Sequence, residues 1–195
     1  MVPVAYKYDC KKEDANREDF DPIETTGRLF VAAHGDAIGL KCGDKEKINH
    51  WAIYVPVADG DSDIKSVRFD MKPSNEIGRL STDCLMGELN VSALTSILSD
   101  SVVKIFEIKI PADVSIGQII TMICNNKYHC YDFHSSGIGC RYWIKSTLAL
   151  LSGAGLVDGN DVLQACEGMK HAWIKGQNEP VLCLAFASGA FHYGK

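Results

Sequence analysis

The chain contains no run of the roughly 18 to 20 apolar residues that a membrane-spanning helix needs. The best candidate, residues 147–157, is short and broken by Ser152, Gly153 and Gly155. Positive charge is not in surplus either: 20 Lys and Arg against 25 Asp and Glu leave a formal net charge of −5. That balance disfavours sequence-blind nucleic-acid binding, which depends on a strong basic field. The opening stretch MVPVAYKYDCKKEDANREDFD turns charged early and offers no apolar core of a secretory signal, so a cytoplasmic location is the expectation. In that compartment the eight cysteines, at 10, 42, 84, 124, 130, 140, 166 and 183, are expected to be mostly reduced and to pack as small apolar side chains. Internal repeats and Pro/Ser-rich linkers are missing, and Gly35, Gly39 and Gly43 do not complete a phosphate-binding loop. His129, Cys130, His134 and Cys140 lie close in sequence, but their spacing matches no usual zinc pattern, so neither metal nor cofactor is expected.

What is present fits one globular domain. Its 195 residues are 46% hydrophobic and 23% charged, enough to bury a sizeable core. A charged arm over residues 1–22 precedes a single domain over 23–195. Strand patterns cover 28–33, 48–57, 66–71 and 102–110, with a polar connection over 58–63. Residues 89–98 read as a short helix. Apolar spacing predicts helices over 113–124, with Asp113 or Ser115 as cap, over 140–151, and over 160–173, with Asn160 or Asp161 as cap. Short strands are expected over 128–133 and 181–187. Strands first and helices after point to an α+β domain, an antiparallel sheet packed against helices.

Three segments carry candidate chemistry. In INHWAIYV, His50 starts an otherwise hydrophobic strand, where apolar packing tunes an imidazole as a base while the strand end keeps one nitrogen reachable. In GIGCRYW, Cys140 occupies the first turn of a helix behind two glycines. Free N–H groups and the helix dipole stabilise a thiolate there. In VRFDM, strand alternation puts Asp70 on the side of Arg68 and opposite Phe69, so a carboxylate on a neighbouring strand can orient His50. Each residue also has a plain structural reading, as a packed histidine, a core cysteine and a solvated carboxylate.

The segment HWAIYV resembles the His-Trp/Tyr-x-Ile-Tyr-Val signature of the permuted NlpC/P60 group, which includes lecithin:retinol acyltransferase-like proteins. YDFHSSGIGCRYWI, residues 131–144, resembles that group's cysteine segment. The resemblance implies a circularly permuted papain-like fold with Cys140 as nucleophile, His50 as general base and Asp70 in the place of the third polar residue. Gly139 stands where the group has Asn, Arg141 where it has an acidic residue, and Pro56 where it has Gly. The NHW, VRFDM and GCRYW segments together resemble a fungal protein family with no assigned activity. A looser resemblance is to fungal arginine-containing cyclodipeptide synthases, which take aminoacyl groups from tRNA. That partner requires Lys104, Lys109, Lys127, Arg141, Lys145, Lys170 and Lys175 to converge on one face.

The function expected is a thiol-dependent acyl transferase or hydrolase acting on a small-molecule or acyl-donor substrate. Asn49, Trp51, Arg68, His134, Arg141 and Trp143 are the candidate substrate-binding residues. The alternatives are the tRNA-dependent synthase, a non-enzymatic ligand- or peptide-binding module, and a cyclase using His50 and Asp70 as an acid/base pair.

Overall fold

The structure is a computed structural model, and it describes residues 5–8, 20, 23–35, 49–58, 63–77, 84–111, 113–134, 139–180, 182–183 and 189–191. The strands are β1 (Ala5–Tyr8), β2 (Arg28–His34), β3 (His50–Pro56), β4 (Ser66–Ile77), β5 (Cys84–Leu94), β6 (Val102–Lys109), β7 (Tyr131–His134), β8 (His171–Ala172), β9 (Leu182–Cys183) and β10 (Ala190–Phe191). Among the described residues three helices join them: α1 (Ile116–Asn125), α2 (Cys140–Gly153) and α3 (Gly159–Gly168). The main sheet runs β10-β7-β5-β4-β3-β2-β6, and β1 and β7 share the outer edge of the long β5. Every pairing in it is antiparallel. The protein is therefore an α+β domain, and no described helix is long and apolar enough to cross a membrane.

Alternation along the central strands divides the side chains between two faces. Leu29, Val31, Trp51, Ile53, Val55, Phe69 and Met71 point toward the helices and form the main core with Ile119, Ile120, Trp143, Ile144, Leu148 and Ala165. The opposite face carries a smaller cluster, Phe30, Ala32, Ala52 and Tyr54, covered by Leu94, Leu98 and Val102. Strands whose two faces are both covered read as unbroken hydrophobic runs. LFVAA and WAIYV have that form.

Ser115 caps α1 through a capping box with Gln118. Asp158, rather than Asn160 or Asp161, caps α3 by accepting from the N–H groups of both. That helix stops at Gly168, and residues 171–172 are extended instead of helical. The region 89–98 is also not a helix. Leu89, Val91 and Ala93 are buried on one side and paired with β4, a period of two that prevails over the apparent helical spacing. Most of the arm, the connection over 59–62, and 181 and 184–188 lie outside the described residues. Within the arm, β1 pairs with β5 from Ala5↔Ser92 to Tyr8↔Leu89.

Leu148 on α2 is fully buried against the sheet. Leu148→Ala should cost about 2–5 kcal/mol through lost transfer energy and the cavity left behind. The shift of the urea midpoint at constant slope measures it.

Candidate active site

Strand β3 is paired with β4 only from Pro56↔Ser66 to Ile53↔Phe69. At its first residues the strand is held, among the described strands, by β2 alone, through His34↔His50 and Ala33↔Trp51. The N-terminus of α2 approaches this open edge, and the helix touches both β3 and β4. The backbone N–H of Trp51 hydrogen-bonds the sulfur of Cys140. His50 and Asp70 share the sheet face away from the main core. His50 Nε2 and Asp70 Oδ1 are 2.6 Å apart, and the His50 ring also hydrogen-bonds Cys140. Since Nε2 is taken by the carboxylate, Nδ1 is the nitrogen left for the thiol.

The electrostatics follow from this chain of contacts. Burial works against a charge on His50, but hydrogen bonds to Asp70 and Cys140 and the charges of both outweigh it, and the imidazole is pushed up to about 10. Burial likewise works against an ionised Asp70. The hydrogen bond and charge of His50, then Lys72, hold its carboxyl at about 2. Burial raises the Cys140 thiol, yet the bond and charge of His50, the Trp51 N–H and the Arg141 charge bring it below its ordinary value. The arrangement favours a thiolate beside an imidazolium, with a buried carboxylate behind it.

Gly139 precedes the thiol for a steric reason. A Cβ there would lie 2.8 Å from both Phe133 Cδ1 and the Tyr131 hydroxyl oxygen, so the Asn of the resembling group has no room. Being glycine, it places no side-chain cap on α2, which leaves the first-turn N–H groups available. The Tyr131 hydroxyl donates to the Gly139 carbonyl at 3.0 Å and accepts from the backbone of Gly189. It thereby fixes where the helix begins.

The remaining candidates take other roles. Trp51 and Trp143 are buried in the main core, and the Trp143 indole donates to the Tyr128 carbonyl at 2.8 Å. Asn49 is buried and spends its amide on the carbonyls of His34 and Trp173 and on the Trp173 N–H. Arg141 is buried and donates to the Met169 carbonyl at 3.0 Å. It therefore supplies no surface charge for an RNA. Arg68 lies beside Asp70, with Nε 3.9 Å from Oδ2, and is half-buried on the face of His50. His134 is exposed at the end of β7, paired with Cys84, and residues 135–138 after it lie outside the described set. Among the described residues no three His, Cys, Asp or Glu side chains gather as a metal site requires. Cys84, Cys124, Cys140 and Cys166 are free thiols, whereas Cys130 is disulfide-bonded.

Three further residues shape the site. Lys72 reaches Asp70 Oδ2 at 2.9 Å, and the alternation of VRFDMK could have placed it beside Arg68 and Asp70. His34 packs 5.9 Å from the His50 ring, bonded to Ser101 through Nδ1 and to Tyr54 through Nε2. Burial, then the charge of His50, lowers it to about 4, so it stays neutral. A strand ending at residue 33 leaves His34 out, and only the pairing with β3 reveals it. Tyr131 carried no local signal. A cavity of about 210 Å³ lined by Thr26, Arg28, Phe30, Pro56, Val57, Lys65 and Ile97 sits at the far end of β2 and β3 from Cys140.

A family model described as a domain of unknown function matches residues 30–192, most of the chain. The chain belongs to the DUF7770 family. The match includes His50, Asp70 and Cys140, so the whole constellation lies within the DUF7770 region. No curated protein and no solved structure matches the chain.

The coupled pair sets a specific pH profile for stability. A raised His50 stabilises fully below 6.5 and loses this as pH climbs toward 10. A lowered Cys140 stabilises fully above 9.0 and loses this as pH falls. Above 6.5 the two contributions oppose each other, because folding keeps a proton on His50 and helps the thiol lose one, so each weakens the other's slope. Removing the thiol should therefore steepen the fall of the urea midpoint with rising pH above 6.5, which Cys140→Ala measured beside the wild type checks.

Proposed function

We propose that the protein is a thiol acyltransferase or hydrolase that works through an acyl-enzyme on Cys140. The observation that carries this reading is that one imidazole, His50, bonds both the Cys140 thiol and the Asp70 carboxylate. This lowers the thiol pKa while raising its own. Such an arrangement supplies a nucleophile that ionises more readily than an ordinary thiol and a proton donor beside it. The order His50, Asp70, Cys140 along the chain, with the cysteine at a helix start and the histidine at a strand start, favours a permuted papain-like layout of the NlpC/P60 kind.

In the first half-reaction the Cys140 thiolate attacks the carbonyl carbon of an ester, thioester or amide. The Cys140 N–H and its first-turn neighbours offer donors to the oxyanion, as uncapped helix amides can. The tetrahedral intermediate collapses as the leaving group departs with the proton from His50, and a thioester remains. Water or an amine then attacks the thioester, His50 takes its proton, and the thiolate is released. Asp70 holds the ring in the orientation that points Nδ1 at sulfur and stabilises its charge.

The cyclase reading is less well supported. An acid/base pair works best with pKa values near the operating pH, and His50 and Asp70 are displaced to about 10 and about 2. The tRNA reading loses one of its required cations, because Arg141 is engaged with a backbone carbonyl inside the protein.

Iodoacetamide labelling of the native protein across pH, read by peptide mass spectrometry, tests the reading. Cys140 should be alkylated before Cys84, Cys124 and Cys166 and below pH 7, and His50→Ala should abolish the selectivity. With activated thioester donors and water or an amine as acceptor, Cys140→Ala and His50→Ala should each reduce turnover by about 10²–10⁴-fold or more, with near-wild-type circular dichroism. Labelling of Cys140 no faster than of the other thiols would overturn the assignment.

A further inference from the structure

The bond between Cys140 and His50 joins two elements far apart in sequence, and a reacting pair has to be held to within about 0.5 Å of its productive geometry. Residues 168–173 connect the two. Arg141, next to Cys140 in the first turn of α2, donates from Nη1 to the Met169 carbonyl at 3.0 Å. Asn49, next to His50 at the start of β3, accepts the Trp173 N–H at 2.7 Å and donates to the Trp173 carbonyl at 2.9 Å and the His34 carbonyl at 3.1 Å. A buried guanidinium and a buried amide are costly unless paired, and here each is paired with the same short stretch of backbone.

That stretch is stiff. The Met169 N–H bonds the Ala165 carbonyl and the Lys170 N–H bonds that of Glu167, extending the end of α3. The Trp173 indole donates back to the Gly168 carbonyl at 3.0 Å. Met169, Ala172 and Trp173 are buried, and the Trp173 ring packs against Phe106 with the Lys104 ammonium over it, 4.3 Å from its centre.

We propose that residues 168–173 form a brace that fixes the separation of Cys140 and His50, with Arg141 and Asn49 as its two positioning residues. The proposal rests on Cys140 being the nucleophile and His50 its partner. Arg141 also acts on the thiol through its charge, so the test has to separate charge from support, and Arg141→Lys keeps the one while shortening the other.

The readout is the pH midpoint of Cys140 alkylation by iodoacetamide in the full chain, with folding followed by circular dichroism. Arg141→Lys and Asn49→Ser should each raise the midpoint by about one pH unit, equivalent to about tenfold slower alkylation below it. Trp173→Phe, which keeps the ring and deletes only the indole donor, should raise it in the same direction by less. Combining Arg141→Lys with Asn49→Ser should raise it no further than the larger single change, because both release the same support. Folded variants with unmoved midpoints, or shifts that simply add, would overturn the brace. If Asn49→Ser fails to fold, Arg141→Lys and Trp173→Phe decide the matter. A wild-type chain without low-pH labelling at Cys140 overturns the nucleophile itself, whereas low-pH wild-type labelling with unmoved variants overturns the brace alone.

Discussion

The break in pairing between β3 and β4 is the constraint from which the site follows. Had the two strands stayed in register past Ile53↔Phe69, the Trp51 N–H would be committed to the sheet ladder and the first turn of α2 would find no edge to approach. Because they separate, a backbone donor and an imidazole become available at the same place. Cys140 meets both. The helix in turn closes an edge that would otherwise carry unpaired backbone groups, a cost that sheets ordinarily avoid.

Asp70 shows how the two-sided sheet serves this arrangement. Its strand neighbours Phe69 and Met71 are buried on the helix side, which forces the carboxylate onto the other face, beside His50. Burial alone would favour a neutral acid there. The company of His50 and Lys72, with Arg68 nearby, keeps it charged. His34 completes this face as a buried imidazole bonded through both nitrogens and kept neutral.

Local signals made much of this legible. The strand character of LFVAA, WAIYV and VRFDM, the cap at Ser115 and the glycine-led start of α2 are all short-range patterns. His50, Asp70 and Cys140 could be singled out because each sits at a position where backbone geometry itself points to chemistry. The roles of Asn49 and Arg141 were not legible. A polar residue flanking a candidate catalytic one reads equally well as a substrate contact, and only the fold brings it to the Trp173 and Met169 backbone, more than a hundred residues away from Asn49 and 28 from Arg141. Segment 89–98 misled for a related reason, since apolar residues in a short run satisfy both a helical and an extended period until a partner strand is known.

The crowding around Gly139 has an evolutionary consequence. Two rings, those of Tyr131 and Phe133, occupy the volume that a side chain at this position would need, and the Tyr131 hydroxyl is bonded to the Gly139 carbonyl as well. A larger residue before the cysteine therefore requires room at both 131 and 133 on β7, and a smaller residue at 131 gives up the bond that marks the helix start. Positions 131, 133 and 139 are thus bound to change together or not at all, and drift in any one of them alone moves Cys140.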